Sequence, residues 1–265
     1  MALGIITGSG TYALPGMESS GREVVATRFG ETEVTRGRFA GQDVLHVSRH
    51  RDDHHHLSNH VTHQANVVAL QQLGARAVLA VTVCGATDST LGLGELVVFD
   101  DLHFLANRLA DGSLCTLHDR PGTPGRGHWV FEDPFSEPLR AALLDGARER
   151  GHAVRDGGCY GHVDGPRFNT KAEIRSLRAV GVSAVSQTAG PETVLAGEAE
   201  LPYALMGYAT DYANGVQAQA TPVATLLELI ARSTETFASV LQAALPGVPA
   251  DGLGAPGVVH RFHAP

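Results

Sequence analysis

"RAVLAVTVCGAT", Arg76 to Thr87, is the stretch whose reading decides the fold. From Arg76 to Val83 it is a nearly unbroken apolar run rich in valine, with no alternation of polar and apolar residues. A strand with one wet face alternates, whereas a strand buried on both faces reads as a continuous apolar run. The run then ends in the small residues of "TVCGAT", which let backbone N–H groups at a strand end come close to a ligand.

Similar runs lie on either side: "LGIIT" (3–7), "DVLHVS" (43–48), "ELVVFD" (95–100), "SAVSQ" (183–187) and "PYALMGYAT" (202–210). Helical patterns separate several of them. In "HVTHQANVVALQQLG" the residues Val61, Ala65, Val68, Ala69 and Leu73 share a face, with Asn59 as the expected N-cap and Gly74 as the stop. "PLRAALLDGARERG" (138–151), "NTKAEIRSLRAVG" (169–181) and "TLLELIARSTETFASVLQAAL" (225–245) are further helices. Strands alternating with helices predict an α/β fold with a largely parallel sheet. The polar, Gly- and Pro-rich segment 107–136 reads as a long loop of the kind that carries function. With no repeat and no linker, 1–265 is expected to be a single domain, and 246–265 a mobile or late-docking tail.

The bulk composition excludes several classes. A formal net charge of -8, spread along the chain, argues against nucleic acid as a partner. Cys84, Cys115 and Cys159 are widely spaced, so the default is a reducing compartment. Neither a signal peptide nor a membrane span is readable, which predicts a cytoplasmic location and no membrane partner.

The chemistry-bearing motifs fall at strand ends. "ITGSGTY" places Gly8-Ser9-Gly10 after the first strand, a turn that can hold an anion with backbone N–H groups and the Ser9 hydroxyl. It lacks the lysine of a P-loop, which counts against a nucleoside triphosphatase. "SRH" places Arg49 and His50 after another strand, and arginine suits bidentate contact with phosphate. The stretch 48–66 holds His50, His54, His55, His56, His60 and His63. It admits a metal site, a solvated loop or the wall of a pocket. The metal reading lacks the glutamate of HExxH and needs His56 to be helical, which a cap at Asn59 forbids. Cys84 sits among apolar residues, which raises a thiol's pKa and leaves it inert. "GPRFNT" (165–170) is a turn carrying Phe168, with Asn169 as the expected cap of the next helix. Gln187 and Thr188 end one strand, and Asp211 ends another, where it either caps a turn or does catalysis.

In their order, "GSG", "SRH", "HQAN", "CGA", "GPRF", "PETVLA" and "ATDY" resemble the trimeric purine nucleoside phosphorylase family, in particular its 5'-methylthioadenosine phosphorylase branch. The resemblance implies a single α/β domain with a mixed, barrel-like central sheet flanked by helices, normally a homotrimer. It implies phosphate-dependent cleavage of a purine nucleoside such as 5'-methylthioadenosine into free base and a ribose 1-phosphate. Inorganic phosphate is then a co-substrate, with no cofactor and no metal. By the same resemblance Ser9, Arg49, His50, Thr82, Val83 and Thr188 bind phosphate, and Asp211 and His50 are the catalytic pair. Cys84, Gly85, Phe168, Asn169, Ser186, Gln187, Asp211 and Ala213 would hold the nucleoside. His54, Val223 and, from a neighbouring subunit, His128 would lie near its 5' substituent.

The chain departs from the family pattern at three of these positions. Gln187 stands where methionine is usual, Ala213 where the aminopurine branch has a second aspartate, and Asn169 where serine or glutamate is found. Amides at 187 and 169 can pair with a uracil edge. This opens an alternative, a phosphorylase for a 5'-modified pyrimidine nucleoside such as 5'-amino-5'-deoxyuridine in nucleoside-antibiotic metabolism. A hydrolase and a non-catalytic nucleoside-binding protein are the alternatives from other classes.

Overall fold

A computed structural model describes residues 2–262. The strands are β1 (Leu3–Thr7), β2 (Glu18–Thr27), β3 (Gly30–Phe39), β4 (Gln42–Ser48), β5 (Val78–Ala86), β6 (Leu96–Val98), β7 (Asp101–His103), β8 (Gly127–Val130), β9 (Val154–Asp156), β10 (Cys159–His162), β11 (Val182–Ser186), β12 (Tyr203–Tyr212) and β13 (Val258–Arg261). The helices are α1 (His63–Gln72), α2 (Glu137–Glu149), α3 (Lys171–Ala179), α4 (Ala189–Glu198) and α5 (Val223–Ala244).

β5 is the hub, and its sequence shows why. Val78, Leu79, Ala80 and Val81 are all buried. Val78 and Ala80 face the cluster built with Val67 and Leu70 of α1 and Leu195 of α4. Leu79 and Val81 face the opposite cluster, with Leu143 of α2 and Phe237 and Leu241 of α5. An apolar residue is therefore needed at every position, each fully buried large side chain contributing about 1.5–3 kcal/mol.

The sheet forks at β5. β1 runs parallel to its first half, pairing Gly4 with Val78 and Ile6 with Ala80. β11 takes over on the same side further along, antiparallel, pairing Val185 with Gly85 and Ala184 with Ala86. β12 runs parallel along the other side for the whole length. Between the two partners, Val81 to Cys84 have no strand neighbour on one side, and the fork opens there. The sheet is thus mixed: the hairpin β2–β3, the pair β3–β4 and the pair β12–β6 are antiparallel, while β1–β4, β10–β11, β10–β7 and β6–β9 are parallel.

Several local expectations need correction. Asn59 does not cap α1; it lies in a 3-10 turn (Ser58–His60), and α1 starts after Thr62. Asn169 does not cap α3; Thr170 does, in a capping box whose Glu173 side chain reaches back to the Thr170 N–H. The segment 107–136 is not all loop, since β8 lies within it and pairs antiparallel with β13 of the C-terminal stretch.

Candidate active site

Four strand ends and two loops surround the fork and enclose a cavity of about 280 Å³. Its floor is Thr82, Val83, Cys84 and Gly85 of β5. Thr82 Oγ1 lies 3.0 Å from Ser186 Oγ, a hydroxyl pair that spans the gap between β5 and β11. Cys84 is buried, and burial pushes its thiol far above the ordinary range, so it contributes backbone rather than a nucleophile.

One end of the cavity is built for an anion. The Gly8-Ser9-Gly10 turn is closed by the Thr11 N–H donating to the Gly8 carbonyl at 3.0 Å and by the Thr7 hydroxyl donating to the Thr11 carbonyl at 2.6 Å. Gly10 has φ +84°, and a side chain there would strike the Ile230 carbonyl of α5. Ser9 and Thr188 line the cavity here. Thr188 precedes the first turn of α4, and its hydroxyl caps no backbone N–H. A helix N-terminus with an uncommitted hydroxyl favours negative charge. The proline at 191, in the first turn of this helix, was the available signal for its start.

Arg49 is where expectation and structure part. Its guanidinium does not line the cavity. It is fully buried behind the Gly8 turn: Nε and Nη2 donate to Glu192 of α4, both at 2.7 Å, and Nη1 donates to the Val81 carbonyl at 2.7 Å. A Cβ on Gly8 would come within 2.5 Å of Nη1, so that glycine is required for the close approach. Burial alone would raise the Glu192 carboxyl, but the charge and hydrogen bonds of Arg49 more than offset this and hold it well below the ordinary range. Arg49 therefore sets a paired positive charge behind the wall of the cavity. Glu192 falls within the "PETVLA" motif, but nothing in that stretch points to Arg49 as its partner.

His50 does line the cavity and is neutral. Burial, then the nearby Arg49 charge, lowers its pKa to about 3. The carbonyl of His56, 2.8 Å from Nδ1, accepts the ring N–H and so assigns the tautomer. Nε2 is left with a lone pair. The His54 ring stacks on His50, centroids 4.2 Å apart, and its Nδ1 is 3.1 Å from the Tyr12 hydroxyl. Desolvation lowers the His54 pKa as well. His55, His56 and His60 lie outside the cavity lining, and His63 is buried in α1 beside Glu192. Among the described residues no group of three His, Cys, Asp or Glu is placed to hold a metal ion.

At the other end stands Asp211. Between Ala209 and Asp211 β12 shifts register against β5, leaving Thr210 as an extra residue. Such a bulge re-aims the next side chain. The Asp211 carboxylate passes over Gly85, where a Cβ would meet Oδ2 at 3.1 Å. Burial raises its pKa, and the Thr210 hydroxyl, 3.1 Å from Oδ1, offsets only part of that. Phe168, Asn169 and Ala213 line the same cavity, with Phe168 still 60 % exposed.

Val223 and His128, expected near the 5' substituent, the second from a neighbouring subunit, both lie off this chain's own cavity. Val223 is 69 % exposed at the start of α5 and off the cavity, where Leu226 and Ile230, one and two turns on, form the wall. His128 lies in β8 opposite His260 and edge-on to Phe262, away from this chain's cavity. Leu57, Ser58, Pro166 and Asn214 line the cavity without having been singled out in the sequence.

The forked α/β sheet, with an anion-ready strand end facing a buried carboxyl, has a known home: the chain belongs to the phosphorylase superfamily, whose family model matches residues 2–246. Within it, the chain is an enzyme of the nucleoside phosphorylase type. It is 32% identical to the probable 6-oxopurine nucleoside phosphorylase of Thermococcus kodakarensis over 93% of this chain and 92% of that one. It is also 32% identical to the S-methyl-5'-thioadenosine phosphorylase of Pyrobaculum aerophilum, over 94% of this chain and 88% of that one. Among solved structures, methylthioadenosine phosphorylase from Schistosoma mansoni in complex with adenine superposes with a TM-score of 0.83 at 26% identity, covering 95% and 93% of the two chains.

Proposed function

We propose that the protein catalyses phosphate-dependent cleavage of the N-glycosidic bond of a purine nucleoside such as 5'-methylthioadenosine, releasing the base and a ribose 1-phosphate. The observation that carries this is the pairing, across one cavity, of an anion-receiving end with a carboxyl whose pKa is raised by burial. Ser9, Thr82, Val83 and Thr188 receive the phosphate, and its oxygen attacks the anomeric carbon. As the C–N bond breaks, its electron pair goes to the base and positive charge builds on the sugar, where the bound anion stabilises it. Asp211, whose raised pKa favours the acid form, donates a proton to N7 of the leaving base and recovers it from solvent afterwards. His50, neutral with its lone pair at Nε2, accepts a P–OH proton in a hydrogen bond; it is not a cationic clamp. Cys84, Gly85, Phe168, Asn169, Ser186 and Ala213 frame the base and sugar.

The relatives act, by their names, on different bases and 5' groups, so the substrate is argued from the cavity. A purine offers N7 to the Asp211 proton, which a uracil lacks. A second reading has one observation behind it. The His50–His54 stack is held neutral, and the free ring nitrogen of His54 can hydrogen-bond to a hydroxyl or amine at the 5' position, which a methylthio group does not match. The 5'-amino-5'-deoxyuridine alternative therefore stays in the test. A homotrimer, with His128 reaching a neighbour's site, and a cytoplasmic location complete the proposal. No described helix is long and apolar enough to cross a membrane.

The test is release of free base from methylthioadenosine, methylthioinosine, adenosine, uridine and 5'-amino-5'-deoxyuridine, with and without phosphate. Purine release only with phosphate is expected. Release without phosphate turns the protein into a hydrolase, and release from uridines alone overturns the purine reading.

A further inference from the structure

The Gln187 amide is already occupied. Its Oε1 accepts from the Ser58 hydroxyl at 2.9 Å, and its Nε2 donates to the Arg167 carbonyl at 3.0 Å. Ser58 belongs to the loop that follows β4 and carries His54 and Leu57; Arg167 belongs to the loop that follows β10 and carries Pro166 and Phe168. These loops both line the cavity and are far apart in sequence, and they meet where Ser58 approaches Gly165. Gln187 itself leaves the end of β11, a strand fixed to β5 and β10. Gly165 completes the arrangement, since a Cβ there would fall 2.0 Å from Gln187 Oε1 and 2.2 Å from Ser58 Oγ. On the far side, the Arg167 guanidinium donates to both oxygens of Glu173, the residue that closes the α3 capping box. A chain of bonds thus runs from the start of α3 through Arg167 and Gln187 to Ser58.

We infer that Gln187 is a positioning residue: its amide joins the 51–60 and 163–168 loops into one unit, and nucleoside binding depends on that join. The inference rests on reading this cavity as the nucleoside site. It departs from the sequence-based expectation that the amide at 187 reads the edge of the base. A side chain that has spent one donor and one acceptor on two loops fixes wall position first. Gln187 still lines the cavity.

The experiment uses the full chain with Gln187→Leu, Ser58→Ala, Ser58→Thr and the Gln187→Leu/Ser58→Ala double variant. KM for nucleoside, KM for phosphate and kcat are measured, with amide hydrogen exchange on the ligand-free proteins. Loss of one such hydrogen bond predicts a rise in nucleoside KM of roughly 3- to 10-fold, with phosphate KM and kcat held within about twofold. Ser58→Thr keeps a hydroxyl and restores the low KM. The double variant is no worse than Gln187→Leu, because the two side chains share one bond. In Gln187→Leu, amides of both loops exchange faster together while those of β5 and α1 do not. An unchanged KM, additive single effects, or loosening of only one loop overturns the inference. So does a switch in base preference with Gln187→Leu that Ser58→Ala does not share, which makes Gln187 a base reader. Exchange is read without substrate, so it tests the join even if no nucleoside is cleaved.

Discussion

The floor of the cavity and its rim are held by different means. The floor, at the fork of β5, is backbone locked by strand pairing, a buried ion pair and two apolar clusters. The rim is two polar loops, largely exposed, joined through single hydrogen bonds at Gln187. The lesson is a division of labour. On the proposed reading, groups that bring phosphate and proton to the glycosidic bond sit on packed strand ends, and groups that meet the variable parts of the substrate sit where substitution is tolerated. Relatives with about the same identity but different named substrates fit that division.

The comparison breaks first at Asp211. Asp211→Ala removes the proton donor and is expected to lower kcat on purine nucleosides by about 10²- to 10⁴-fold, with phosphate KM little changed. Asp211→Asn has a second, opposite signature. A carboxyl whose folded pKa is raised contributes stability at low pH that is lost as pH rises through that value. At neutral pH the buried aspartate is therefore a cost, and Asp211→Asn is expected to raise Tm while lowering kcat. A lower Tm would show the environment to be polar rather than desolvating.

The second break is Arg49. On sequence alone, Arg49→Ala weakens phosphate use. With Arg49 and Glu192 both fully buried and paired, the same change strands a carboxylate and is expected to destabilise the fold by about 3–5 kcal/mol. Denaturant unfolding measures it. Arg49→Ala combined with Glu192→Gln is expected to recover part of that loss, since the stranded charge is gone.

Arg49 also shows what local sequence conveys. Its partner lies 143 residues away, and no pattern around "SRH" points to it. β1, β4, β5, β11 and β12 were legible because burial on both faces leaves an apolar run. The β2–β3 hairpin was not, because much of it faces solvent and is tied by exposed pairs such as Arg36–Glu23. α4 was overlooked because it is buried nearly all round and so lacks an amphipathic stripe. The strand-end site residues Ser9, His50, Thr82, Thr188 and Asp211 were brought together as the motif order implied. The commitments of Gln187 and the bulge that aims Asp211 are tertiary facts with no local trace.

Acid sharpens the contrast between floor and rim. Burial, chiefly, lowers the pKa of His46 to about 4, and of His50 and His162 to about 3. A histidine with a depressed folded pKa contributes stability that is full above its unfolded value, near 6.5, and is lost as pH falls towards the folded one. Stability should therefore be flat from pH 8 to about 7 and fall steadily between about 6.5 and 3. Denaturant midpoints across that range check it. His162→Phe, which removes one buried proton acceptor, should make the decline shallower.

The smallest effects belong to the rim. Phe168 lines the base end yet is 60 % exposed, so its ring has apolar face left to cover. An aromatic contact contributes about 0.5–1.5 kcal/mol beyond area burial, so Phe168→Ala should raise nucleoside KM by roughly 2- to 10-fold. Fold stability should hold within about 0.5 kcal/mol, because an exposed ring supports little of the core. On α5 the contrast is finer. Leu226 is in the wall and Val223, one turn earlier, is not. Leu226→Ser should raise KM for nucleosides with an apolar 5' group more than for those with a hydroxyl, and Val223→Ser should do neither. If Val223→Ser gave the selective change and Leu226→Ser did not, the 5' group would sit one turn nearer the start of α5 than the wall drawn here places it.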